Sequence, residues 1–177
     1  MKTIIFIAGV YGVGKSTICN EISKEFDIAS YSASDFISSV SGEKYGTKKE
    51  ASNSNSNQEI LIGQVNSIID DTFIINGHFC LKSGDNNIIT ISEDVFEQMK
   101  ISGILLLEAD INTIEKNLFQ RDNKVYDKKF LQKLLVRERT QAKLVSEKLY
   151  IPLKMYQMNF DGNDNNNIYQ IMRKFRV

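Results

Sequence analysis

The chain has 177 residues, a length typical of one domain, and a chain of this size buries enough apolar surface to fold without disulfides or a structural metal. Hydrophobic residues make up 42% of the chain, and 22 lysines and arginines balance 22 aspartates and glutamates. This balance argues against a nucleic-acid partner, because nucleic-acid-binding domains carry an excess of basic residues. We therefore expect residues 1–177 to form one neutral globular domain.

Cysteines and long apolar runs are scarce. Cys19 and Cys80 are too few and too far apart in the sequence for a disulfide framework or a zinc cluster, so any metal should be held by oxygen ligands. The first apolar run, residues 3–8, is too short for a signal peptide, and no run reaches the roughly 20 apolar residues of a membrane span. We expect a cytoplasmic protein without a membrane partner.

Buried strands and amphipathic helices alternate along the chain. Continuous runs rich in β-branched residues are typical of strands buried on both faces, whereas apolar residues three and four apart indicate helices. In chain order the sequence predicts a strand at 3–8, a helix at 15–26, a strand at 28–31, a helix at 35–40, a polar loop at 41–57, a helix at 60–69, a strand at 72–75, an edge hairpin or extended segment at 86–92, a helix at 93–99, a strand at 101–108, helices at 111–120 and 128–149, a strand at 151–158 and a helix at 168–175.

This alternation predicts the fold class. Neighbouring parallel strands need crossover connections, and the helices between the strands can supply them. The sequence therefore predicts a three-layer α/β fold with a parallel sheet of about five strands. The tract at 52–57 consists mainly of asparagine and serine, and we expect a mobile loop there.

The most specific motif lies between the first strand and the first helix. Residues 9–16 read Gly-Val-Tyr-Gly-Val-Gly-Lys-Ser and fit the pattern G-x-x-x-x-G-K-[ST]. In such a loop the backbone N–H groups surround the phosphates, Lys15 reaches the β and γ oxygens as a catalytic group, and the Ser16 hydroxyl is a ligand of Mg²⁺. The residues predicted to bind ATP or GTP are Gly9, Gly12, Val13, Gly14, Lys15, Ser16 and Thr17.

Three segments carry a family resemblance. The loop at 8–17 is similar to a Gly-Val-Pro-Gly-Val-Gly-Lys-Thr loop, and Phe119-Gln-Arg-Asp122 is similar to the Arg-Asp pair that begins a lid. The segment Arg137-Glu-Arg-Thr-Gln-Ala142 falls where the helix after such a lid has an arginine. Together these segments resemble the P-loop kinases of small molecules and nucleotides, and most nearly the archaeal-type adenylate kinases and their relatives.

The resemblance implies a P-loop NTPase fold with a short helical lid at about 119–130 and an acceptor-binding segment at about 32–70. It implies phosphoryl transfer from ATP, with Mg²⁺ as cofactor and with Arg121 and Arg139 as the catalytic lid arginines. Arginine is suited to this role because its fork of N–H donors stabilises the charge that spreads over a transferring phosphoryl group. The segment at 159–162 resembles the loop that borders adenine in these kinases.

The acceptor side departs from the pattern of nucleoside monophosphate kinases, which usually hold the acceptor phosphate with an arginine. The first arginine of this chain is Arg121, and the lysines that could replace the missing one have no bidentate fork. The expected small-molecule acceptor is therefore a nucleotide, a nucleoside or another hydroxyl compound. The lysines in question are Lys44, Lys48 and Lys49.

Three polar residues at predicted strand ends are candidates for the acceptor side. Asp35 is predicted either to position or deprotonate the acceptor hydroxyl as a catalytic residue, or to cap the following helix. His78 is predicted either to bind the acceptor or to be a structural histidine. Asn76 stands where the family has an aspartate that supports Mg²⁺ through water, so either Mg²⁺ is held more weakly or Asp35 shares the task.

Glu138 lies on the apolar stripe of the long predicted helix. A buried carboxylate needs a partner, and we expect a lid arginine, most simply Arg121.

The leading hypothesis is an ATP-dependent phosphotransferase that acts on a small acceptor. Two alternatives remain open at this point: an ATPase switch that acts on a protein partner, and a nucleotide-binding module without turnover.

Overall fold

The computed structural model describes residues 2–41, 54–83 and 87–175, and the statements below concern these residues. Their helices and strands are β1 (Thr3–Ala8), α1 (Lys15–Phe26), β2 (Ala29–Ser32), α2 (Ala33–Ser41), α3 (Ser54–Ser67), β3 (Thr72–Asn76), β4 (Cys80–Lys82), β5 (Ile88–Thr90), α4 (Glu93–Gln98), β6 (Gly103–Glu108), α5 (Ile111–Asp122), α6 (Lys128–Leu149), β7 (Leu153–Gln157) and α7 (Asp164–Lys174).

Five parallel strands form the central sheet in the order β2-β3-β1-β6-β7, which confirms the predicted α/β fold. After β1, the chain places β2 and β3 on one side of β1 and then places β6 and β7 on its other side. The strand order therefore reverses at β1. In open parallel sheets ligands bind at the carboxyl ends of the strands, at the point of this reversal. The fold therefore directs attention to the segments that follow β1 and β3.

The core is densest around the central strands. β1 and β6 are buried along nearly their whole length, as expected for strands covered on both faces. The rings of Phe6, Phe79 and Phe96 form an aromatic cluster, with centroids 4.7 to 5.2 Å apart and mutually tilted or edge-on geometry. Because Phe79 belongs to the segment after β3, this cluster packs that segment against the core.

The predicted polar loop at 41–57 is wrong in its last part, because α3 already begins at Ser54. Residues 42–53 of this stretch, with part of the tract expected to be mobile, lie outside the described residues. The polar residues at 54–57 favour a helix only weakly. Leu61 and Val65 bury the following turns in the core and Asn57 is itself buried, so tertiary packing extends the helix.

Two further differences concern short elements. The segment at 86–92, expected to be an edge hairpin or an extended segment, holds a single strand, β5, which pairs antiparallel with β4 in a separate two-stranded sheet. The sequence pattern does not predict β4. The last helix begins at Asp164 instead of residue 168. Asp164 accepts hydrogen bonds from the backbone N–H groups of Asn159 (3.0 Å) and Phe160 (2.7 Å), which fixes the turn that leads into the helix.

Within the described ranges 2–41, 54–83 and 87–175, no helix combines the length and the apolar content that a bilayer crossing requires.

Substitutions of two glycines by alanine should have opposite effects on the free energy of unfolding. At Gly77 an added Cβ would lie 2.7 Å from the buried ring of Phe6, whereas at the exposed Gly63 in α3 it would meet no atom within 4 Å. We predict that Gly77→Ala lowers the free energy of unfolding by about 1–3 kcal/mol through overpacking. Gly63→Ala should raise it by about 0.5–1 kcal/mol through helix propensity. Urea unfolding measures both, and equal effects of the two substitutions would contradict this packing.

Candidate functional site

The loop between β1 and α1 has the backbone geometry of a phosphate cradle. Gly9 passes so close to β6 that a Cβ would lie 2.4 Å from the carbonyl oxygen of Leu107. Gly14 caps α1 with φ of 94°, a left-handed conformation that favours glycine, and no side chain bonds to the first N–H groups of the helix. Those N–H groups and the helix dipole are thus directed to an anion.

Lys15 lies inside this loop. Its ammonium group donates hydrogen bonds to the carbonyl oxygens of Gly9 (2.6 Å) and Val10 (3.1 Å), and the residue is only 9% exposed. Ser16 and Thr17 follow it on the first turn of α1 and are exposed. The positive charge and the two hydroxyls therefore lie at the mouth of the loop.

A cavity of about 810 Å³ opens above the carboxyl ends of β1, β2 and β3. Several residues predicted from the sequence lie together in this cavity. They do so because β3 pairs with both β1 and β2, with Asn76 in register with Ile7 and Ser32. Gly9 and Val13 belong to the wall of the loop and do not line the cavity. The predicted residues that do line it are Gly12, Gly14, Lys15, Ser16, Thr17, Asp35, Asn76, His78 and Arg121.

The cavity has two ends. The end expected to bind the nucleotide, here called the donor end, is formed by the phosphate loop together with Arg121 of α5 and Phe160, which lies next to Gly14. The opposite end, where an acceptor is expected and which is here called the acceptor end, is formed by the carboxyl ends of β2 and β3 and by the first turns of α2. Its polar side chains are those of Ser30, Tyr31, Ser32, Ser34, Asp35, Ser38, Asn76 and His78.

Asp35 does not cap α2, which was one of its two predicted roles. It lies in the first turn of the helix, and its own backbone N–H donates to the hydroxyl of Ser32 at 3.4 Å. Ser32 therefore takes the capping position. The Asp35 carboxylate is exposed and belongs to the cavity lining.

His78 and Asn76 connect the acceptor end to neighbouring segments. The His78 ring lies against the ring of Tyr11 in the phosphate loop, with centroids 4.3 Å apart. The amide nitrogen of Asn76 donates to the carbonyl oxygen of Tyr31 at 3.4 Å, so the amide oxygen is the group that it offers to a ligand. Both contacts tie the end of β3 to the rest of the site.

Arg121 occupies the last turn of α5 at the edge of the cavity. Its guanidinium donates two hydrogen bonds to the Asp122 carboxylate, which also accepts the Tyr126 hydroxyl, and these bonds raise the pKa of Arg121. One turn earlier, Asn117 donates to the carbonyl oxygen of Gly12 at 2.9 Å. The helix that carries Arg121 is therefore attached directly to the phosphate loop.

Arg139 does not line the cavity in this structure. It forms a bidentate ion pair with Glu108 at the end of β6, with N···O distances of 2.7 and 3.0 Å. The pair is half exposed on the arginine side and nearly buried on the carboxylate side. The predicted role of Arg139 in a lid remains a prediction.

Glu138 has partners other than the predicted one. Arg121 bonds to Asp122, whereas Glu138 accepts hydrogen bonds from three backbone N–H groups: Gly9 (3.3 Å) and Phe79 (2.9 Å) on Oε1, and Cys80 (2.8 Å) on Oε2. The expected pairing with a lid arginine is thus wrong. Burial raises the pKa of Glu138 to about 7, although the three N–H groups and the charge of Lys15 oppose the rise.

The cavity is lined by oxygen donors of the kind that Mg²⁺ prefers. Ser16, Asp35 and Asn76 supply a hydroxyl, a carboxylate and an amide oxygen to the same cavity. Mg²⁺ in phosphate sites is commonly held by one or two protein oxygens, with phosphate oxygens and waters completing the shell. Among the residues that the structure describes, no cluster of three or more His, Cys, Asp or Glu side chains is placed to hold a metal ion.

The loop after β7, which includes the predicted segment 159–162, is held by a residue that sequence reasoning missed, Asp164. Asp164 is buried and accepts the Tyr156 hydroxyl (2.9 Å) in addition to the two N–H groups described above. It thereby holds the loop in which Phe160, with φ of 57°, lies beside the phosphate loop. Asp164 precedes a run of asparagines, so the sequence pattern gives it no emphasis.

The comparisons with known proteins agree with this geometry. A protein-family model described as an AAA domain (AAA_17) matches residues 8–134, and the chain therefore belongs to this family. The match begins at the phosphate loop and extends into α6. A search among curated proteins finds no match in sequence.

Solved structures with the same fold include two shikimate kinases. The enzyme from Acinetobacter baumannii, in complex with shikimate, has a TM-score of 0.61 and 14% identity, covering 98% of this chain and 93% of that one. The enzyme from Bacteroides thetaiotaomicron has a TM-score of 0.64 and 10% identity over 99% of both chains. An uncharacterized protein from Eubacterium ventriosum has a TM-score of 0.53 and 12% identity over 98% of both chains. The fold is thus that of P-loop kinases.

The two cysteines provide a test of the packing around the site. Burial raises the pKa of both the Cys19 and the Cys80 thiol to about 12, and the Glu138 charge contributes at Cys80. We predict that a thiol reagent at pH 8 labels neither cysteine in the folded protein, because the thiolate is the reactive form. Both should react in urea at the rate of unfolding. Rapid labelling of either thiol in the native protein would contradict the buried environment.

Proposed function

We propose that this protein is an ATP-dependent phosphotransferase that acts on a small hydroxyl compound, and that it is related to the adenylate-kinase-like enzymes. The observation that carries the proposal is the cavity, which joins a phosphate loop at one end to a carboxylate, an imidazole and several hydroxyls at the other. A site with this division suits the in-line transfer of a phosphoryl group between two bound molecules.

At the donor end, the N–H groups of the loop and the start of α1 bind the phosphates of ATP. Lys15 exchanges the carbonyl oxygens of Gly9 and Val10 for the β and γ oxygens, and Ser16 holds the magnesium ion. When bound, Mg²⁺ neutralises charge on the β and γ oxygens. Phe160 borders the base, and Arg121 leaves Asp122 to reach the transferring group as the lid at 119–130 closes.

At the acceptor end, the Asp35 carboxylate positions the acceptor hydroxyl and accepts its proton. The cationic side chains that line the described part of the cavity are Lys15 and Arg121, both at the donor end. This distribution supports a nucleoside or another hydroxyl compound without a phosphate group over a nucleotide. Lys44, Lys48 and Lys49, the other candidates for holding an acceptor phosphate, lie outside the described residues.

The comparisons support the reaction class without naming the substrate. Both shikimate kinases are kinases by name, and one was solved with shikimate bound, so shikimate belongs among the acceptors to be tested. The acceptor-binding segment at 32–70, the lid and the role of Arg139 are parts of the proposal that rest on the resemblance to adenylate kinases.

The test is ADP release from Mg-ATP, measured alone and with nucleoside monophosphates, nucleosides, small polyols and shikimate. We expect one acceptor class to accelerate release many-fold and to yield a phosphorylated product. Lys15→Ala should abolish this release, because the β and γ contacts are lost, while circular dichroism shows an intact fold. Release that is slow and indifferent to every acceptor would contradict the proposal and favour an ATPase switch or a binding module.

Arg121 offers a second kinetic test. If it acts mainly in the transition state, Arg121→Ala lowers kcat by a factor on the order of 10³ and raises the KM for ATP much less. The matched control is Arg173→Ala, which removes an exposed arginine paired with Glu25, and it should leave both constants unchanged. An effect of Arg121→Ala that is confined to KM would make this residue a ground-state anchor and contradict its catalytic role.

A further inference from the structure

The Glu138 carboxylate lies beyond the carboxyl ends of β1 and β3, where the backbone hydrogen bonds between the two strands end. The last hydrogen bond between β1 and the segment after β3 runs from the Gly77 N–H to the carbonyl oxygen of Ile7 at 3.0 Å. Beyond it, Gly9 and Phe79 each direct an N–H group inward, and two donors cannot bond to each other. One oxygen of Glu138 accepts both, at 3.3 and 2.9 Å.

The second oxygen of Glu138 accepts the N–H of Cys80 at 2.8 Å, so the carboxylate holds the loop and the start of β4 together. Residues 76–80, here called the acceptor-side turn, begin with Asn76 and contain His78, both of which line the cavity. The residue on the other side of the carboxylate, Gly9, is the first glycine of the phosphate loop. Glu138 itself is 1% exposed and does not line the cavity.

We propose that Glu138 is a positioning residue that couples the phosphate loop to the acceptor-side turn, so that nucleotide binding at the loop orders the turn for the acceptor. The ordering of Asn76 and His78 for an acceptor rests on the proposed function, whereas the coupling itself does not. The ring contact between Tyr11 and His78 runs in parallel with the carboxylate and joins the same two segments.

The chemistry of the link requires a carboxylate of this length. Glutamine has one acceptor oxygen. With that oxygen toward Gly9 and Phe79, its amide hydrogens face the Cys80 N–H; with the oxygen toward Cys80, the other two donors are left unsatisfied. Aspartate is shorter by one methylene group and reaches fewer of the three N–H groups. Burial favours the neutral form of Glu138, whereas the three N–H groups and the charge of Lys15 favour the ionised form, which accepts all three hydrogen bonds.

A control is available on the same helix. Gln141, one turn after Glu138 and also buried, donates to the carbonyl oxygen of Ile91 and to Glu93, and no bond joins it to the phosphate loop. Gln141→Met therefore disturbs the packing of α6 against the β4–β5 hairpin while it leaves the carboxylate link in place.

Hydrogen–deuterium exchange measures the coupling without acceptor or turnover. In the wild type, MgADP should slow exchange in peptides from both 9–17 and 76–82. In Glu138→Gln, at least one of the amides of Phe79 and Cys80 should exchange about tenfold to a hundredfold faster before nucleotide is added, given the usual strength of hydrogen bonds to charged groups. MgADP should then protect 9–17 alone, and Gln141→Met should behave as the wild type.

Several results would overturn the proposal. Equal protection of 76–82 by MgADP in Glu138→Gln and in the wild type would do so, as would an equal loss in Gln141→Met. Peptides from β6 in the same samples report global unfolding. If Glu138→Gln does not fold, Glu138→Asp takes its place, with reduced protection of 76–82 expected and undiminished protection contradicting the coupling.

The outcome is separable from the proposed function. Absence of phosphoryl transfer would leave the exchange result standing, because MgADP is the only ligand used. Absence of protection at 9–17 in the wild type would count against the donor site, and the nucleotide-free comparison of Phe79 and Cys80 would then decide whether Glu138 holds the turn.

Discussion

The burial of one carboxylate at the ends of β1 and β3 is the constraint around which the site is arranged. A buried charge is stable only where enough donors meet it, and Glu138 is met by three N–H groups from segments far apart in the chain. Those segments are the phosphate loop and the turn after β3. The same contact therefore joins α6 to the segments that follow β1 and β3.

The sheet order determines what surrounds this contact. Because β3 lies between β1 and β2, the loop after β1 meets the turn after β3 and the first turn of α2 at one edge. The loop after β1 carries Lys15 and Ser16, and the first turn of α2 carries Asp35. Asn76 and His78 belong to the turn after β3. The strand pairing thus determines which segments form the donor end and the acceptor end. A few polar side chains on these segments supply the charged and hydrogen-bonding groups of the cavity.

Sequence reasoning succeeds where the determinants are local. The buried strands of the central sheet and most of the amphipathic helices are encoded by neighbouring residues, and these predictions are confirmed. The glycine conformations of the phosphate loop fit its motif, and its binding of nucleotide stays a prediction. The burial of Glu138 also follows from helical periodicity, but its partners do not, because Gly9 lies 129 residues away and backbone N–H groups leave no trace in composition. The start of α3 and the anchoring role of Asp164 are likewise decided by tertiary contacts.

The central claim is that the γ-phosphoryl group passes to a small hydroxyl compound and not to water. The most direct measurement supplies ATP labelled with ¹⁸O in the γ-phosphoryl group, adds a mixture of small metabolites and follows the label by mass spectrometry. The account predicts a labelled phosphoester that forms only when the mixture is present. Label that appears exclusively in inorganic phosphate, at a rate independent of the mixture, would contradict it.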